Sequence, residues 1–112
     1  MRKIPDKVKI TVVKQFLPKD IFGQDFILKS GNKVSNCNLK EGNEFISEGT
    51  GNMPKGFCPH AWNSIFRNVH LLTWGGGYSE TIGDNLAFGV CSDGLRPVIF
   101  KLERIEKEKS KN

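Results

Sequence analysis

The stretch from Cys58 to Gly77 constrains the fold more than any other part of the chain. It opens Cys58-Pro59-His60-Ala61-Trp62, runs on to Leu71-Leu72, and stops at Gly75-Gly76-Gly77. Trp62, Ile65, Phe66, Val69 and Leu72 recur at helical spacing and form the expected buried stripe. His60, Asn63, Ser64 and Arg67 fall on the other side. Proline suits the first turn of a helix, where its missing N–H would have had no partner. Gly75 stands where a glycine ends a helix well. The spacing therefore predicts one main helix over about 59–72, with Cys58 at its N-cap.

The flanking segments read mostly as strands. Residues 7–16 alternate and are rich in β-branched side chains, with Val8, Ile10 and Val12 on one face and Lys7, Lys9 and Thr11 on the other. Leu17-Pro18 breaks this strand, and residues 19–28 fit a short helix with a ragged apolar stripe. Ser30-Gly31-Asn32 and Lys40-Glu41-Gly42-Asn43 are turns, the second opening a strand at Glu44–Glu48. A glycine-rich connector from Gly49 to Gly56 delivers the chain to Cys58. Leu86–Cys91 reads as a strand, Ser92-Asp93-Gly94 as a turn, and Pro97–Ile105 as a long last strand. On that strand Val98, Phe100, Leu102 and, less clearly, Arg104 share one side. The order predicts an α+β fold: a small antiparallel sheet or partly closed barrel packed against one main helix. The expected domain covers 1–105, and the basic tail 106–112 is expected to be disordered.

Charge narrows the partners. The net charge is +5, yet residues 10–100 sum to zero, so the excess lies in the two ends. A solvated tail fits this better than a nucleic-acid surface. The longest apolar runs are a few residues, too short to span a membrane. The first residues show no apolar secretory core, so the expected location is the cytoplasm. An unidentified small molecule or protein is the expected partner.

The three cysteines carry the chemistry. In a reducing compartment an odd number reads as free thiols, metal ligands or redox groups rather than a disulfide scaffold. Cys58, beside the positive end of a helix dipole, is the candidate catalytic thiol, since that position favours a reactive thiolate. Cys37, Cys58 and Cys91 each sit at a turn or element end and are the candidate metal ligands, with His60 as a further one and His70 also open to trial. Three thiolates suit zinc, or an iron–sulfur cluster with a position left for another ligand. Without metal, Cys58 is a nucleophile or redox thiol that Cys37 or Cys91 resolves through a disulfide. The competing reading makes the cysteines small buried hydrophobes in a non-catalytic ligand- or protein-binding module. Asp93, Arg96, Glu103 and Arg104 read as turn and surface groups. Trp74 and Tyr78, around the glycines, could line a pocket or only pack.

Four pieces together resemble a known pattern: Lys-Glu-Gly-Asn-Glu-Phe at 40–45, Met-Pro-Lys-Gly-Phe-Cys-Pro-His-Ala-Trp at 53–62, Gly-Gly at 75–76, and Cys-Ser-Asp-Gly-Leu-Arg-Pro-Val-Ile-Phe-Lys-Leu-Glu-Arg-Ile at 91–105. The chain resembles a family of short uncharacterised bacterial and archaeal proteins with a Cys-x-x-Ala-Trp helix start and an Asp-Gly-x-x-Pro-Val-x-Phe final strand. The resemblance implies no particular activity. It implies that Cys37, Cys58 and Cys91 belong to the pattern, and that the position of His60 is freer. Two departures are visible: Gly77-Tyr78-Ser79 stands where the pattern has Phe-Pro-Trp, and Val90-Cys91 where a Cys-Cys pair often occurs.

Overall fold

A computed structural model describes residues 5–35, 38–49, 52–91 and 93–105. Cys37 and the expected tail 106–112 lie outside the described residues. The elements follow in the order β1 (Lys7–Gln15), α1 (Pro18–Phe22), β2 (Glu44–Ser47), α2 (Pro59–Thr73), β3 (Leu86–Val90) and β4 (Val98–Ile105). The strands form one open antiparallel sheet in the order β2-β1-β4-β3, so the α+β expectation is met by an open sheet rather than a barrel.

Alternation along each strand decides what is buried. The register sets Ile10 opposite Leu102 and Val12 opposite Phe100, while Ala87 faces Leu102 and Gly89 faces Phe100. These residues share one face, and α2 lies on it, adding Ala61, Ile65, Val69 and Leu72 to the core. Burying a side chain of this size contributes about 1.5–3 kcal/mol, so this layer is the main stabilising contact. Gly89 lets the helix come close: a Cβ there would stand 2.8 Å from Cγ2 of Ile65. The other face of the sheet stays wet, with Lys9 between Glu44 and Glu103 at 3.8 and 3.7 Å.

The buried stripe of α2 is narrower than its spacing predicts. Phe66 is 37% exposed, and Trp62 only half-buried. Trp62, Phe66, His70 and Trp74 instead form a second row at steps of four, with successive ring centroids 5.6, 5.4 and 6.3 Å apart. The expected 19–28 helix is also shorter. α1 stops at Gly23, and the chain then folds into a small hairpin in which Ile27 bridges Lys33 and the Val34 N–H donates to the Phe26 carbonyl at 3.1 Å. Ile21, Phe22, Phe26, Ile27 and Leu28 remain exposed, so no core contact selects a longer helix here.

The end of α2 is closed tightly. Gly75 takes φ +91°, its N–H donates to the Leu72 carbonyl at 3.1 Å, and the Gly76 N–H donates to Leu71 at 2.9 Å. Such a paired closure satisfies the last carbonyls of a helix. Arg104 completes it, which corrects its reading as a surface group. Its side chain is 7% exposed and lies 3.9 Å from the Asp6 carboxylate. Nη1 donates to the carbonyls of Leu72 and Gly76 at 3.0 and 2.6 Å. Nη2 donates to the Asp84 carbonyl at 2.6 Å and to Oδ1 of Asn85 at 2.7 Å. The glycine loop is thus a fixed turn held from the last strand. Among the described residues, no helix is long and apolar enough to cross a membrane.

Candidate functional site

The opposite end of α2 is built differently. A tight turn, Pro54-Lys55-Gly56-Phe57, is closed by a hydrogen bond from the Phe57 N–H to the Pro54 carbonyl at 3.2 Å. Phe57 is then driven into the core, 4% exposed, with Phe45, Phe100 and Trp62 rings at 5.0, 5.5 and 6.2 Å. Anchoring Phe57 fixes the next residue. Cys58 is the N-cap of α2, as its position before Pro59 predicts, with extended backbone and a half-buried side chain. Its carbonyl accepts the first helical bond, from Trp62 N–H at 2.9 Å. Its side chain makes no capping hydrogen bond.

Cys58 lines an open pocket of about 440 Å³ with Ser35, Asn38, Leu39, Phe57 and Arg96. Arg96 stiffens the wall. Its Nη1 donates to the Ser35 carbonyl at 2.9 Å and its Nε lies 3.3 Å from Oδ2 of Asp93. Asp93 also accepts from the Leu95 N–H at 3.0 Å. Burial pushes the Asp93 carboxyl up, but the hydrogen bonds from Leu95 and Arg96 outweigh it and hold it below the ordinary carboxylate range. Arg96 and Asp93, read from the sequence as turn groups, are therefore also the brace between the last turn and the segment that precedes residue 36.

The other cysteines fare differently. Cys91 is 8% exposed and belongs to the hydrophobic core, where its N–H pairs with the Val98 carbonyl at 3.0 Å. Cys37 lies outside the described residues. His60 is exposed in the first turn of α2. His70 stands twelve residues beyond Cys58, about 18 Å along the helix, and stacks beside Phe66 instead. Among the described residues, no three His, Cys, Asp or Glu side chains group to hold a metal.

Sequence reasoning found Cys58 from the cysteine–proline step. It missed the pocket wall, because Ser35 and Arg96 are 61 residues apart and meet only in the folded chain. It also passed over Arg104, although the alternation with Val98, Phe100 and Leu102 had placed that residue on the inner face. No protein-family model, curated protein or solved structure matches the chain, so the family resemblance rests on its motifs alone.

Proposed function

We propose that the pocket at the start of α2 is a thiol site, with Cys58 as its reactive group and Cys37 as the second thiol. The observation that carries this reading is the contrast between two thiols: Cys58 is half-buried and lines an open pocket at the start of α2, whereas Cys91 is held in the core. That arrangement favours two-thiol chemistry over a three-cysteine zinc or iron–sulfur centre. A cytoplasmic location, where thiols stay reduced, belongs to the same reading.

The chemistry is thiol–disulfide exchange with a small disulfide or a disulfide on another protein. The Cys58 thiolate attacks one sulfur of the substrate disulfide, forms a mixed disulfide and expels one substrate thiolate. Cys37 then attacks Sγ of Cys58, expels the second substrate thiolate and leaves a Cys37–Cys58 disulfide. Two electrons pass from the protein thiols to the substrate, and the two protons they lose reappear on the product thiols.

The test is thiol mapping by mass spectrometry after exposure to oxidised glutathione. The expected result is a Cys37–Cys58 disulfide with Cys91 left reduced, and no such disulfide in Cys58→Ser. Labelling of Cys58 no faster than Cys91 would make both packing residues and the protein a binding module. Stoichiometric zinc, or iron with sulfide, in anaerobically purified protein would replace exchange chemistry with a metal centre.

A further inference from the structure

Charge and topology meet at one end of the sheet. Residues 1–9 carry four basic groups against one acid, and residues 101–112 five against three, while the stretch between them has no net charge. In sequence these are two separate solvated segments. In the fold they are neighbours. Lys7 and Ile105 are the last partners of the β1–β4 ladder, so the chain enters β1 and leaves β4 side by side. The charges on the strands themselves are already matched. Lys7 meets Glu48 at 3.3 Å, Lys9 and Lys101 meet Glu103 at 3.7 and 3.6 Å, and Arg104 faces Asp6. The excess is therefore left to Arg2, Lys3, Lys107, Lys109 and Lys111, against Glu106 and Glu108.

An exposed aromatic row leads to the same end. The Asp6 N–H donates to the Thr73 carbonyl at 2.9 Å, which sets the entering chain beside Trp74. Trp74 is 46% exposed, and His70, Phe66 and Trp62 follow it back along α2. Trp62 packs edge-on to Phe57, and Phe57 edge-on to Phe45, so the row lies on the β2 flank of the helix. α2 contains no Asp or Glu, and Arg67 is exposed on its outer side.

We infer that this end of the molecule binds single-stranded nucleic acid, with phosphates drawn to the two basic segments and bases stacked on Trp74 and the row behind it. Positive charge attracts any polyanion. The aromatic rings select one whose bases offer free π faces, which a duplex keeps stacked inside. A membrane surface fits less well. The exposed apolar side chains that a bilayer would take up, Ile21, Phe22, Phe26 and Ile27, lie past the other end of β1, where Phe22 and Phe26 share a pocket with Leu95 ahead of β4. That end is about 26 Å from Lys7 along the strand. The inference concerns the closed end of α2 and does not depend on the thiol chemistry of Cys58.

Fluorescence anisotropy of a labelled oligothymidylate, titrated with the full chain at several salt concentrations, tests this. The expected result is binding that quenches tryptophan fluorescence and weakens with salt, with a log–log slope of about −2 for roughly three neutralised phosphates. Trp74→Ala should weaken binding at least about fivefold while keeping the wild-type circular dichroism and thiol labelling. Arg2→Ala with Lys3→Ala should flatten the salt slope by about 1.4. Phe22→Ala, at the far end, should change nothing. If Trp74→Ala fails to fold, Phe66→Ala, further along the same row, decides in its place. No binding at low salt overturns the inference. So does equal binding of a duplex that folded Trp74→Ala and Phe66→Ala both retain, which would reduce the patch to a general attraction for polyanions. Binding to phosphatidylserine vesicles with none to the oligonucleotide also overturns it and would give the basic segments to a membrane surface.

Discussion

At the end of α2, the last carbonyls are met by the Gly75 and Gly76 N–H groups and by the buried guanidinium of Arg104. At its start, Pro59 brings no N–H, Cys58 makes no side-chain cap, and an open pocket begins. A helix leaves the same number of unmatched backbone groups at each end. One end of this helix satisfies them from three directions, and the other leaves room beside a sulfur. The contrast separates a device that holds the fold from a place where chemistry can be done, and substitutions at the two ends should fall into two classes.

The largest effect is expected at the closed end. Arg104→Ala strands the Asp6 carboxylate and the Gly76 and Asp84 carbonyls, and should cost about 3–5 kcal/mol in urea unfolding. Arg104→Lys should recover only part of this, because an ammonium cannot serve Leu72, Gly76 and Asp84 with a planar fork. A cost below about 1 kcal/mol for the alanine variant would erase the contrast. Gly75→Ala comes next. Placing a Cβ at φ +91° should cost about 1–2 kcal/mol, read as a lowered melting temperature with unchanged thiol reactivity.

The open end should respond the other way. Cys58→Ser is expected to change stability by under about 1 kcal/mol, since the side chain is half-buried and caps nothing, while abolishing the fast-labelling thiol. A large loss of stability with no change in labelling would make Cys58 as structural as Gly75.

The smallest effect lies in the pocket wall and depends on pH. Asp93 is held below its ordinary value of 3.8 in the folded state. Its contribution is therefore complete above that value and is lost as pH falls through the folded one. Unfolding measured from pH 6 to pH 2 should show wild type more stable than Asp93→Asn at the upper end, with the gap closing in acid. A gap that stays constant would mean that the Arg96 contact does not hold the wall.

Some of this could be read from residues alone. α2 was legible because proline and glycine mark its ends and its apolar spacing is long. The strands were legible because alternation over 7–16 and 97–105 allows only one buried face. Phe66 was misplaced because a row at steps of four sits beside the true stripe, and only the sheet decides which row it covers. Arg104 was misjudged because charge was weighed above alternation. Residues 19–28 gave a poor reading for another reason: Ile21, Phe22, Phe26, Ile27 and Leu28 are exposed, so the pattern of a buried face never existed there. The neighbourhood of Cys58 depends on Ser35, Asn38 and Arg96 arriving from distant parts of the chain, which no local pattern encodes.

The strand order carries a consequence for how the protein is made. β4, which follows the other described strands in the chain, lies between β1 and β3. Until it emerges, β1 has only the four residues of β2 to pair with, β3 has nothing, and Arg104 is not there to seal the helix. A nascent chain stalled before residue 98 holds two apolar strand edges without a partner, the state most open to chaperones and to aggregation. The sheet is therefore completed by its latest strand, and the long loop between β1 and β4 is closed in one late step.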